Sequence, residues 1–140
     1  MIDTNVLLDA VDPSRPESEP ARGILSWCNG GGDRGMAASA SLKDVYCIMG
    51  KRYSEPVARK AVQWLAELLS IGSLGCEECL DALLSNEPDF EDGLVRSSAE
   101  PNDADFIITR DTAAFASSPI KSMTPREFIA AVIEQDRYGR

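Results

Sequence analysis

The sequence predicts an α/β protein: a three-layer α/β/α fold around a central, mostly parallel sheet. Three observations lead there. Segments with apolar residues at helical spacing alternate with short apolar runs suited to buried strands. Glycine, proline and asparagine punctuate the boundaries between them. At 140 residues, the chain is long enough for one core, so residues 1–140 are expected to form a single domain.

The elements follow in order. Residues 4–11 read as a short helix, followed by the loop Asp12-Pro13-Ser14-Arg15-Pro16. Pro20 to Cys28 places Ala21, Ile24, Leu25 and Cys28 on one helical face and stops at Asn29-Gly30-Gly31-Gly32. Gly35 to Ala38 is a small-residue strand, after which Ser39 or Ser41 can cap a helix carrying Leu42, Val45, Tyr46 and Met49 and ending near Tyr53. Ser54-Glu55-Pro56 opens the next helix, whose Val57, Ala61, Trp64, Leu65, Leu68 and Leu69 keep the same period. Ile71 to Cys76 is expected to be a short strand and Glu78 to Leu84 a short helix. Asp89 to Ala99 forms a helix whose acidic start suits the positive end of the helix dipole, and Pro101-Asn102-Asp103 breaks it. Asp105 to Thr109 is a buried strand, and Asp111 or Thr112 caps the turn towards Phe115. Thr124-Pro125-Arg126-Glu127 joins an N-cap, a proline in the first turn and a capping-box glutamate. The last helix therefore starts there and continues through Phe128, Ile129, Val132 and Ile133.

Composition narrows the function classes. The longest apolar runs, such as Val6 to Leu8 and Phe106 to Ile108, fall far short of the ~20 residues a membrane span needs. No basic-then-apolar leader opens the chain, so a cytoplasmic location is expected. Cys28, Cys47, Cys76 and Cys79 are expected as reduced thiols, and the Cys76-x-x-Cys79 pair lacks partners at metal-ligand spacing. The chain contains no histidine, which removes histidine-based ribonuclease chemistry and a Ser-His-Asp triad. A formal net charge of −9 opposes passive binding to a phosphate backbone. Divalent cations in a carboxylate pocket, a local Lys/Arg rim or a basic partner would offset it.

In parallel α/β sheets, sites form beyond the carboxyl ends of the strands. Asp3 and Asp111 both fall at such ends, so the topology alone would bring them together. Hard cations such as Mg²⁺ favour carboxylate oxygens, and several converging acids could hold one or two of them. Each acid also has a plainer reading. Asp3 is placed as a helix N-cap, Asp44 and Asp92 lie off the apolar stripes as solvated-face residues would, and Asp111 can cap the next turn. No one acid decides the matter.

The order of motifs adds a resemblance. Ile2-Asp3-Thr4-Asn5-Val6-Leu7-Leu8-Asp9 resembles the first motif of PIN-domain nucleases, and Ser41-Leu42-Lys43-Asp44-Val45-Tyr46 resembles the second. Asp89-Phe90-Glu91-Asp92-Gly93-Leu94 is similar to the third and Asp105-Phe106-Ile107-Ile108-Thr109-Arg110-Asp111 to the fourth. Met123-Thr124-Pro125-Arg126-Glu127-Phe128 matches the entry to the family's last helix, so the likeness spans nearly the whole chain. It implies Asp3, Asp44, Asp92 and Asp111 as catalytic, metal-binding acids for Mg²⁺ or Mn²⁺. It also implies Asn5, Thr109 and Glu91 as supports, with Glu91 and Asp89 the nearest substitutes for the third acid. Asp44 stands where the family commonly has glutamate. Only Met1 and Ile2 precede Asp3, which implies a start that cuts the first strand short. Asp9 and Asp105 are expected to be structural or rim residues.

The chain further resembles VapC-like toxin ribonucleases. That likeness implies an RNA substrate and an antitoxin protein as partner; a homodimer is a candidate assembly, and the sequence leaves the oligomeric state open. Lys43, Arg96, Arg110 and Lys121 are candidate phosphate contacts. Two other classes compete with the nuclease: a catalytically impaired PIN-like binding module, and an aspartate-dependent phosphohydrolase. The last ranks behind, because Asp3-Thr4-Asn5 lacks the second aspartate two residues on that haloacid-type phosphatases use.

Overall fold

The computed structural model describes residues 1–30 and 35–139. Its first element is hardly a strand. Ile2 pairs in parallel with Ile108 through a single bridge. Around it, Ile2 N–H donates to Met36 O at 2.8 Å, Ile108 N–H to Met1 O at 2.8 Å and Asp3 N–H to Ile108 O at 2.9 Å. These bonds seat residues 1–3 between two strand pairs. On one side β1 (Met36–Ala38) pairs in parallel with β2 (Ser70–Gly72), and on the other β3 (Phe106–Ile108) pairs in parallel with β4 (Lys121–Met123). The spatial order is β2, β1, residues 1–3, β3, β4.

Alternation along these strands builds the layers. Ile2, Ala37, Phe106 and Ile108 turn to one core, shared with α1 (Thr4–Val11), α2 (Ser18–Asn29), α3 (Ser39–Arg52) and α4 (Glu55–Leu68). Met1, Met36, Ala38 and Ile107 turn to the other, against Val95 and Ala99 of α6 (Phe90–Ala99) and Ala114 and Phe115 of the turn after Asp111. Helices on both faces of a small parallel sheet make the three-layer α/β/α fold that the sequence predicts. No helix among the described residues is long and apolar enough to cross a membrane.

Local signals set most helix ends. Ser54 Oγ accepts from Val57 N–H at the start of α4. Asp89 Oδ1 accepts from Asp92 N–H at 2.8 Å to cap α6. Thr124 and Glu127 exchange the two bonds of a capping box at the start of α7 (Pro125–Phe128). Beyond α7 the helix widens into a π-helical stretch over Ile129–Ile133 before closing over Glu134–Tyr138.

The α3 cap and the bounds of the second strand and of the helix after it need correction. Neither Ser39 nor Ser41 caps α3; Ala38 holds that position without a side-chain bond, and Ser41 Oγ instead accepts from Thr4 Oγ1 at 2.8 Å. The second strand begins at Ser70 rather than Ile71 and ends at Gly72, where pairing with β1 runs out. The next helix, α5, accordingly spans Cys76–Leu83. β4 was not expected: three residues with one exposed lysine have no apolar run, and only pairing with β3 makes them a strand. In the stop after α2, Asn29 and Gly30 close the helix, while Gly31 and Gly32 lie outside the described residues.

The packing of α5 on α6 leaves no room at Gly93. A Cβ there would stand 2.8 Å from Ala82 O and 3.0 Å from Ala82 Cβ. Gly93 follows Asp92, so this contact also sets the height of Asp92 over the sheet. Gly93→Ala should cost about 1–3 kcal/mol through overpacking, despite the better helix propensity of alanine. Urea unfolding checks this: the midpoint falls with an unchanged slope.

Candidate active site

Asp3 is the most constrained residue of the site. It is 6 % exposed and caps α1, its Oδ1 accepting from Thr4 N–H at 2.8 Å. Its Oδ2 accepts from the hydroxyl of Thr109, which is fully buried at the end of β3, at 2.8 Å. The same hydroxyl accepts from Asp111 N–H at 3.0 Å. One threonine thus links the two strand-end aspartates. Asp111 Oδ1 in turn accepts from Ala114 N–H, capping the turn towards Phe115.

These residues open onto a cavity of about 450 Å³, lined among others by Asp3, Asn5, Asp44, Asp89, Glu91, Asp92 and Asp111. All four acids singled out in the sequence therefore face one space, together with two of their expected supports. Thr109 stands behind Asp3, out of the lining. Among the three neighbouring acids, Asp89 is bound as the α6 cap, Glu91 is exposed and Asp92 is half-buried. Asp44 lies on the α3 wall beside its neighbour Lys43, Nζ to Oδ1 3.6 Å.

The charge in this space is poorly balanced. Burial pushes the Asp92 carboxyl up to about 7, helped by the charges of Asp89, Asp3 and Asp111. Burial also raises Asp3, against the lowering effect of its bonds from Thr109 and Thr4. Only Lys43 and Lys51 supply positive charge among the described lining residues, both from α3. The donor set is one of hard oxygens under mutual repulsion, and this chemistry fits a hard divalent cation such as Mg²⁺ or Mn²⁺. Among the described residues, no three of these groups stand together as a ready-made ligand set, so holding an ion requires the carboxylates to close in.

Three expected phosphate contacts lie elsewhere. Arg96 is buried, with Asp81 at 2.8 Å, Glu87 at 2.5 Å and Glu100 at 3.0 Å. Lys121 pairs in register with Phe106, at the opposite end of the strands from Asp111. Arg110 is held by the buried carboxylate of Asp9, Nε to Oδ2 2.8 Å. Asp105 lines a separate cavity at that opposite end, with Met1, Trp27 and Phe128. Sequence reasoning overlooked Lys51, although its spacing was legible: positions 43, 47 and 51 follow one another at i, i+4 and i+8 along one edge of α3.

The sequence matches the PIN domain over residues 1–113, and the chain belongs to the PIN-domain family. That membership gives it a nuclease-type function in general terms. Among solved structures it is similar to VapC20 of Mycobacterium tuberculosis, a sarcin-ricin loop cleaving toxin, with a TM-score of 0.69 and 12 % identity over 83 % of this chain and 92 % of that one. It is also similar to a chain of Rickettsia felis VapBC2 bound to a DNA fragment from its promoter, with a TM-score of 0.65 and 14 % identity over 89 % and 96 %. At these identities the likeness is one of fold. No curated protein matches the chain closely enough in sequence to count as a relative.

The raised Asp92 carboxyl gives a pH dependence of definite sign. Between about 4 and 7 the folded chain holds a proton on Asp92 that the unfolded chain has lost, so apo-protein stability falls as pH rises through this window and levels off above it. Asp92→Asn should flatten the decline and raise the melting temperature at pH 8. Thermal melts of both forms in a chelator-treated buffer, from pH 4 to 8, check it.

Proposed function

We propose that this chain is a metal-dependent endoribonuclease, the toxin of a toxin–antitoxin pair, with Asp3, Asp44, Asp92 and Asp111 as its catalytic, metal-binding acids. The observation that carries the reading is the convergence of all four on one cavity at the carboxyl ends of the parallel strands. A bound Mg²⁺ or Mn²⁺ would supply a water of lowered pKa and neutralise charge on the phosphoryl oxygens. The chain's own groups do the rest. Asp3 is held at both oxygens, so its rotamer needs no rearrangement. Thr109 couples Asp3 to the backbone of Asp111, the kind of outer support that metal ligands need. Burial and the neighbouring acids hold the Asp92 carboxyl up at about 7, and a bound cation would favour its charged form. Asn5 and Glu91 line the same space and are available to orient water or substrate.

RNA as the substrate is supported by the structural neighbour described as a sarcin-ricin loop cleaving toxin, and a protein partner by the one described as VapBC2. An antitoxin would dock against an acidic chain, since the net charge is −9. Phosphate contact falls to the α3 wall. Lys43 and Lys51 are eight residues apart, about 12 Å along the helix, and share the cavity with Asp3, Asp92 and Asp111 from other elements.

The test is cleavage of a labelled RNA oligonucleotide in Mn²⁺. The wild type should cut it, and Asp3→Asn or Asp111→Asn should lower kcat by at least about 100-fold, in line with loss of charge stabilisation at the reacting group. Lys43→Ala and Lys51→Ala should each reduce the salt slope of log kcat/KM by about 0.7, while Lys60→Ala on the α4 surface leaves it unchanged. The absence of a ready-made ligand set and the Lys43–Asp44 pair favour one other reading, a binding module without chemistry. Calorimetric titration with Mn²⁺ separates the two. Binding that Asp92→Asn weakens supports the enzyme, and no binding supports the module.

A further inference from the structure

Arg110 and Asp9 belong to neither the apolar core nor the cavity lining, yet they are tied together by an ion pair. Asp9 is on α1, six residues after Asp3, and only 1 % exposed. Its Oδ1 meets Arg15 at 3.4 Å. Its Oδ2 has no hydrogen-bond partner among the described residues and is compensated by the Arg110 guanidinium, Nε 2.8 Å away. Arg110 sits between Thr109, which bonds Asp3, and Asp111. A buried carboxylate left without its cation is costly, so the pair resists separation.

We propose that Asp9 and Arg110 form a positioning clamp that holds the β3 end, and with it Asp111, at a set distance from Asp3. This rests on the nuclease reading of the cavity. The start of α1 is bonded to the β3 end through Asp3, at Ile108 O and Thr109 Oγ1, and Asp9–Arg110 adds a contact outside the cavity lining. Thr109 is also fixed by its N–H to Met123 O at 2.9 Å, whereas Arg110, the next residue, is held to α1 by Asp9, so the ion pair carries the restraint one residue further towards Asp111. Arg110 is thereby a positioning residue whose charge is spent within the protein and not on substrate.

Two measurements test the clamp. In steady-state cleavage of the RNA oligonucleotide with Mn²⁺, well below the melting temperature, Asp9→Asn and Arg110→Gln should each lower kcat at least 10-fold with KM within two-fold. The double variant should lose no more than either single change, and Arg110→Lys should recover most of the rate. A phosphate contact would instead raise KM and reduce the salt slope in Arg110→Gln alone. A purely structural pair would lower the melting temperature while the folded fraction kept its kcat. Either result overturns the clamp.

The second measurement needs no turnover. Hydrogen exchange at the Asp111 amide, bonded to Thr109 Oγ1, should accelerate at least 10-fold in Asp9→Asn while the Ile107 amide is unchanged. Equal exchange in wild type and variant overturns the clamp. If the wild type cuts no RNA but the Asp111 amide is deprotected, the nuclease reading fails and the clamp stands.

Discussion

Asp3 is held in three ways at once, and the arrangement of the molecule follows from that. Its N–H pairs with β3, one carboxylate oxygen starts α1 and the other receives the Thr109 hydroxyl. The backbone bond makes residues 1–3 the bridge between two strand pairs that otherwise do not touch in register. The helix cap turns the chain sharply at the strand end and sends α1 back over one face. The hydroxyl bond draws the neighbouring strand end, and so Asp111, to the same point. Sheet continuity, helix placement and site geometry therefore share one residue. Its burial is tolerated because each oxygen has a donor.

Two different treatments of acidic side chains appear in the same small protein. Away from the cavity, buried acids are paired. Asp12 is raised by burial, but the hydrogen bonds it accepts from Tyr53 and Ser14, with the nearby Arg52 charge, hold its carboxyl below the usual range. Glu87 is buried against Arg96. In the cavity, burial raises Asp3 and Asp92 instead, and the charges of neighbouring acids add to it. Structural acids stabilise by pairing, whereas this group stores electrostatic repulsion that a cation relieves. The net charge of −9 is thus partly internal, and Lys43 and Lys51 of α3 bring positive charge to the cavity lining.

Much of the architecture was legible in the sequence because it is written in short-range chemistry. The capping box at Thr124 and Glu127, the Ser54 cap and the apolar stripes of α2, α3 and α4 need only neighbours within one or two turns. The alternation of short apolar runs with helices implied a parallel sheet covered on both faces, and Ile107 and Ile108 do face opposite cores. What escaped was long-range. β4 exists only because β3 lies beside it. Ser41 bonds Thr4 across 37 residues instead of capping its own helix. The roles of Arg96 and Arg110 depended on which acids the fold would bring within 3 Å.

The sequence by itself determined the class of fold and the family resemblance, and it singled out the acids that line the cavity, since periodicity, caps and motif order are local properties of the chain. It could not separate a capping aspartate from a site aspartate, because both readings use the same residue in the same local position. Tertiary structure shows that the cap does not exclude Asp3 from the cavity: it starts α1 with one oxygen, meets Thr109 with the other and lines the space. Only three-dimensional packing decided which charges are neutralised and which remain exposed to one another. Burial and pairing depend on groups up to 109 residues apart, as between Glu17 and Arg126, and no local pattern encodes those distances.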